Sequence, residues 1–177
     1  MNQEQAIPFA YFITFTCYGT WLHGEKSTSV DRQYKTFGTD FLNQNPMRAY
    51  FVKKQMSEQP YLLDSPRRSI VLNSIKGVCA CRKWTLLAAH VRTNHVHILV
   101  HALNSPNQIM NTIKAYASRH LNLSKLDDRV NRWTRHGSTR YLWKEEHIEP
   151  TIRYIVHEQG EPMAVFENID RVFVNVF

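Results

Sequence analysis

Apolar and polar positions along the chain change period several times, and each change marks an element. Ala10 to Tyr18 is dense in aromatic and β-branched residues and ends at Gly19, which predicts a first strand. The polar stretch from Gly19 to Asp40 predicts a long loop. Asn45-Pro46 and Ser65-Pro66 each place a capping residue before a helix-opening proline. The first predicts a short helix to about Glu58. The second opens a longer helix on which Ile70, Val71, Ser74, Ile75, Val78 and Cys79 fall at helical spacing. Trp84 to Val91 predicts a second strand, and Arg92-Thr93-Asn94 turns it into a third as a hairpin. Ser105-Pro106 repeats the cap and opens a helix to about Leu123, with Ile109, Ile113, Tyr116 and His120 in one stripe.

Asp127 to Arg140 is basic and reads as irregular, with a short edge strand over Tyr141 to Trp143. Pro150 to His157 reads as a helix stopped by Gly160, with Pro162 beyond. Val172 to Phe177 alternates like a last strand. This order predicts an α+β fold, a ferredoxin-like antiparallel sheet with helices packed on one face. Residues 1–177 are expected to form a single domain, with a basic irregular segment and a C-terminal helix and strand extension after about residue 124.

The third strand carries the candidate chemistry. In Asn94-His95-Val96-His97-Ile98-Leu99-Val100-His101, Val96, Ile98 and Val100 share one face, and His95, His97, Leu99 and His101 share the other. Two imidazoles two residues apart are close enough to bind one divalent ion. With nine histidines in 177 residues, a chance His-x-His pair is an equally simple account, and only a matching nucleophile elsewhere separates the two.

Net charge is +7, which favours a polyanionic partner. Three cysteines, Cys17, Cys79 and Cys81, make neither a disulfide framework nor a zinc site and point to a reducing cytoplasm. The first ten residues hold no basic stretch followed by an apolar one, and no apolar run of about 18 residues occurs in the sequence, so a soluble intracellular chain is expected.

On the helix after the histidine strand, Tyr116 and His120 stand four apart, one above the other. Folded back against that strand, the helix would offer Tyr116 as a nucleophile on phosphorus and His120 as a third metal ligand or a proton-transfer group. A tyrosine on an apolar stripe with Ile109 and Ile113 is more often core than nucleophile. Trp133 and Trp143, among Arg132, Arg135 and Arg140, read either as platforms that stack on unpaired bases while the arginines contact phosphate or, equally, as partly buried aromatics beside a solvated basic loop. Arg92, Lys114 and Arg119 join them as DNA-binding candidates. His90 and His101 read as supporting or structural groups.

Asn94-His95-Val96-His97-Ile98-Leu99-Val100 followed by a tyrosine helix resembles the single-tyrosine HUH transposases, the insertion-sequence-200-like family. Thr14 to Gly24 and Arg135 to Trp143 resemble stretches of its REP-associated tyrosine transposase branch. Arg92-Thr93 stands where the family often has Met-Pro. The resemblance implies a cytoplasmic, nucleoid-associated bacterial transposase dependent on a divalent metal, Mg²⁺ or Mn²⁺. Its partner would be single-stranded hairpin DNA, cut through a 5′-phosphotyrosine with a free 3′-hydroxyl. It matches His95 and His97 to the metal ligands and Tyr116 to the nucleophile, and it leaves monomer or homodimer open. A catalytically silent nucleic-acid-binding module is the alternative. A histidine-triad hydrolase fits poorly because Leu99 stands at the third alternating position, and a two-histidine phosphoesterase would need a second doublet.

Overall fold

The computed structural model describes residues 7–20, 54 and 56–170. Most of the Gly19 to Asp40 loop, most of the helix expected after Asn45-Pro46 and the tail strand at Val172 to Phe177 lie outside these residues. The described elements are β1 (Ala10–Cys17), α1 (Ser65–Arg82), β2 (Thr85–Val91), β3 (His95–His101), α2 (Pro106–Ser124), β4 (Trp133–Leu142), α3 (Ile148–His157) and β5 (Ala164–Glu167). A 3₁₀ turn, Glu145–His147, leads into α3.

α2 starts as its sequence dictates, whereas α1 starts one residue earlier than Ser65-Pro66 predicts, with Ser65 already helical. Asp64 caps α1 by accepting from the Arg67 amide at 3.0 Å. Ser105 and Gln108 form a reciprocal capping box on α2, with Pro106 in the first turn.

The strands form one five-stranded antiparallel sheet in the order β4-β1-β3-β2-β5. β1–α1–β2 and β3–α2–β4 are therefore crossovers between parallel strands, and the right-handed path such crossovers take puts both helices on one face. That face is the aliphatic one. Ile13, Phe15, Val96, Ile98 and Val100 pack there against Val71, Ile75 and Val78 of α1 and Ile109, Ile113, Ala117 and Leu121 of α2.

The α+β antiparallel sheet is as expected, but not every helix packs on one face. α3 turns Ile148, Ile152, Ile155 and Val156 onto Ala10, Ala88, Leu99 and Leu142 on the opposite side. Each such aliphatic burial stabilises by about 1.5–3 kcal/mol. The sheet is thus sandwiched between two helical layers, and the imidazole face of β3 lies under α3.

The stretch expected to be irregular is mostly strand. β4 pairs with β1 from Ala10 opposite Leu142 to Phe15 opposite Gly137, then bulges before Cys17 meets Trp133. The bulge carbonyls of Thr134 and His136 accept hydrogen bonds from the Lys114 ammonium, at 2.9 and 3.0 Å. Next to the bulge, a Cβ on Gly137 would stand 2.5 Å from both the Thr14 carbonyl oxygen and the Met110 sulfur. Gly137→Ala is accordingly expected to destabilise the fold by about 1–3 kcal/mol, read as a lower urea midpoint. An unchanged midpoint would mean that β4 does not sit this tightly on β1.

Candidate active site

The imidazoles are placed by strand register. Antiparallel partners face the same way, so His90 on β2, His97 on β3, and Thr14 and Phe12 on β1 share the α3 side of the sheet, with His95 opposite Thr16 at the end of the row. The His95 and His97 rings stand 4.8 Å apart, centroid to centroid.

Each ring is oriented through Nδ1. His95 Nδ1 donates to the Asn94 side-chain oxygen at 2.8 Å, which puts the ring lone pair on Nε2. His97 Nδ1 bonds to the Thr14 hydroxyl, also at 2.8 Å. Metal-binding histidines are commonly oriented in this way. His90 Nδ1 donates to the Ile155 carbonyl at 2.8 Å, and its Nε2 accepts from the Met163 amide at 3.3 Å. With both nitrogens engaged and its side chain buried, His90 pins α3 to the sheet. His101 bonds through Nδ1 to the Phe9 carbonyl, a structural contact.

Burial, and then the nearby positive charge of Arg92, push His95 down to about 4; burial and then His95 itself push His97 down to about 4. Burial also lowers His90. Imidazoles that stay neutral through the physiological range keep lone pairs available to a metal.

The sign of the linked stability follows. The unfolded chain takes up protons below about pH 6.5 and the folded chain only near pH 4, so stability from these residues is complete above 6.5 and is lost as pH falls toward 4. The metal-free protein is expected to lose on the order of a few kcal/mol across that window, with a shallower slope in a His97→Gln variant. Urea midpoints measured through the window check this, and identical slopes would refute it.

The expected tyrosine is on the wrong side. Tyr116 packs against the aliphatic core on α2, beneath the Arg119 guanidinium at 5.5 Å, with the sheet between it and His97. His120 shares that helix. Among the described residues no three of His, Cys, Asp or Glu gather in metal-binding geometry, so His95, His97 and His120 do not form a triad.

A different tyrosine occupies the place. Tyr154 on α3 meets the His97 ring edge-on at 5.9 Å and the Phe12 ring at 6.0 Å, and the residue is 41% exposed. Gln159, just past α3, donates through Nε2 to the Tyr154 carbonyl at 3.1 Å, and its side chain hydrogen-bonds to His97. Two imidazoles and an amide oxygen form a donor set that suits a divalent first-row metal. The sequence signal for this site was the apolar stripe of α3, which had to cover something, and the face left open was the imidazole face.

The basic and aromatic candidates divide. Arg132 is 3% exposed and binds Asp127 at 2.7 Å and Asn122 at 2.6 Å. Lys114 is buried under the β4 bulge, and burial pushes its ammonium down to about 8. Trp133 packs edge-on against Phe15 and donates to the Ser118 hydroxyl at 2.9 Å. These three were expected at a DNA surface and instead hold the fold. Arg92 donates to the Glu161 carbonyl at 2.8 Å. Arg119, Arg135, Arg140 and Trp143 are exposed, and Trp143 stacks on Tyr141 at 5.7 Å.

Residues 47–157 match the family described as Transposase IS200 like, a span that takes in both histidines and Tyr154 and more than half of the chain. The chain belongs to the IS200-like transposase family. No curated protein matches it. Among solved structures, a REP-associated tyrosine transposase bound to a REP hairpin is similar at 11% identity with a TM-score of 0.48, covering 89% of this chain and 70% of that one. The family span starts after β1. In this IS200-like transposase, Thr14 and Phe12, which orient His97 and contact Tyr154, therefore come from outside the matched region. Among the described residues no helix is long and apolar enough to cross a membrane.

Proposed function

We propose that this transposase is a metal-dependent single-stranded DNA endonuclease and strand transferase that acts on hairpin ends through a 5′-phosphotyrosine on Tyr154. What carries the reading is the meeting of an exposed tyrosine with the neutral imidazole pair, the Tyr154 and His97 rings being 5.9 Å apart.

Tyr154 Oη attacks phosphorus in line. The P–O bond to the 3′ oxygen breaks as the phenolic proton passes to water, and the leaving oxygen takes up a proton to become the 3′-hydroxyl. Because the phosphodiester energy is kept in the tyrosyl ester, a 3′-hydroxyl can return and rejoin the strand without ATP. A phenol, with an ordinary pKa near 10, leaves more readily than an alkoxide.

His95, His97 and Gln159 are the residues that would hold Mg²⁺ or Mn²⁺, which when bound offsets the negative charge on the nonbridging oxygens. Asn94 and Thr14 keep the two imidazoles aimed. Phe12 packs against the Tyr154 ring and limits its rotamers. The exposed Arg135, Arg140 and Trp143 are the groups left to meet DNA.

The test is a denaturing gel of purified protein with labelled hairpin DNA bearing single-stranded tails, with Mg²⁺ or Mn²⁺, comparing wild type, Tyr154→Phe and Tyr116→Phe. A covalent band lost only in Tyr154→Phe supports the reading. A band that survives in Tyr154→Phe overturns it, and tight binding with no band in any protein favours the silent binding module.

A further inference from the structure

Beside Tyr154, on the side away from His95, a cleft of about 380 Å³ opens between the β1–β4 edge of the sheet and α3. Phe12, Leu142, Pro150 and Tyr154 are the apolar part of its lining, and Arg140, His147 and Thr151 stand in it with polar groups. Phe12 and Arg140 are direct partners across β1 and β4, so the aromatic ring and the guanidinium share one sheet face. Leu142 is 1% exposed and forms a fixed floor. Arg140 makes no ion pair among the described residues, unlike Arg67 and Arg132. Thr151 donates its hydroxyl proton to the His147 carbonyl at 2.7 Å, which leaves the oxygen as an acceptor.

We infer that this cleft takes one unpaired nucleobase, that of the nucleotide next to the phosphate attacked by Tyr154, and that Arg140 reads its edge. This rests on Tyr154 being the nucleophile and adds where the sequence preference at the cut arises. A phosphate held at Tyr154 Oη brings a neighbouring nucleotide beside the cleft, because the same tyrosine lines it. The Phe12 and Tyr154 rings meet edge-on at 81°, and a single aromatic face suits a base taken out of its stack. The guanidinium supplies the forked donors that pair with two acceptors on one base edge, and the Thr151 oxygen supplies an acceptor. The positive net charge of the chain favours the polyanionic strand over a neutral or basic peptide as occupant.

The experiment is a selection from hairpin DNA whose single-stranded tails are fully randomised, sequenced after covalent capture with Mn²⁺ and, separately, after equilibrium binding in EDTA. Wild type is expected to show a strong preference at one tail position, which in the captured pool lies next to the cut. Arg140→Ala should flatten the preference at that position by roughly ten-fold, and Thr151→Trp, which fills the cleft from the exposed helix side, should do the same. Preferences elsewhere in the tail should hold. An unchanged profile in both variants, or no preference at any tail position in either pool, overturns the inference and gives the cleft to another occupant. Loss of capture in Tyr154→Phe is read independently. If Tyr154→Phe is still captured, the nucleophile assignment fails, while the EDTA pool continues to report on the cleft.

Discussion

Tyr154→Phe is expected to yield no covalent adduct with single-stranded DNA, while Tyr116→Phe yields it at close to the wild-type level. The phenylalanine keeps the ring packed on His97 and Phe12 and removes only the attacking oxygen, so the fold and DNA binding should persist. Loss of a nucleophile with its surroundings intact lowers the rate on the order of 10⁴-fold or more, well beyond what a packing change produces. Tyr116 has the opposite profile. Its ring rests on the aliphatic core under Arg119, and loss of its hydroxyl is expected to leave adduct yield unchanged. The two variants run side by side on a denaturing gel decide between the tyrosine that sequence order suggests and the one the fold presents. Equal loss in both would point to a general defect, and loss in Tyr116→Phe alone would require α2 to act from the other side of the sheet.

The second large effect is expected at Asp127, far from the chemistry. Its carboxylate takes hydrogen bonds from Arg67 Nε and Arg132 Nη2, each at 2.7 Å, from the Tyr61 hydroxyl at 2.9 Å, and from the Arg129 amide at 3.2 Å. Burial alone would raise this carboxyl, but the hydrogen bonds from Arg67, Tyr61 and Arg132 outweigh it and hold the group down to about 2. Asp127→Ala leaves the Arg132 side chain, 2% exposed, without its counter-charge. Removing one member of such a buried pair costs about 3–5 kcal/mol, which for a chain of this size lowers Tm by on the order of 10 °C. The same link gives an acid limb. The unfolded carboxyl takes its proton near pH 4 and the folded one near 2, so this stability is present above 4 and is lost as pH falls toward 2. Thermal melts of Asp127→Ala against Arg140→Ala, an exposed arginine, check the claim. A drop of similar size in both would remove the special place given to the Asp127 network.

Much of this was legible because local rules are strong where side chains alternate. The strand at His95–His101, with its aliphatic and imidazole faces, follows from period two alone. The helix at Pro106–Ser124 begins where a capping residue precedes a proline, and the one at Ser65–Arg82 begins one residue before its proline, with Asp64 as the cap. The Asp127 to Arg140 stretch read as irregular because its apolar residues are few. β4 is an edge strand whose pairing with β1 makes up for them, and the bulge opposite Thr16 breaks the alternation that would have revealed it. Arg132 and Lys114 read as DNA contacts because they are basic, Arg132 standing next to Trp133 and Lys114 on the helix of Tyr116. Which cations become buried depends on partners distant in the chain, Asp127 with Tyr61 for one and the bulge carbonyls of β4 for the other.

The placement of Tyr116 follows from strand connectivity. A helix that joins two parallel strands crosses on the same side as its fellow crossover, and the side with Val96, Ile98 and Val100 is the one with apolar partners for both. The imidazoles therefore had to face away from α2 and toward whatever amphipathic helix came later. That helix, with Ile148, Ile152, Ile155 and Val156 on its stripe, was visible as an element but not as a partner of the histidines.

By itself the sequence determined the α+β class, the histidine pair on one strand face and the positions of the long helices, because strand alternation and helix caps act over a few residues. The tertiary structure alone decided which tyrosine meets that pair, which basic residues stay exposed and where the cleft opens. Those depend on the side of the sheet each helix covers and on strand register across distant segments, and both are set by the burial of the whole core.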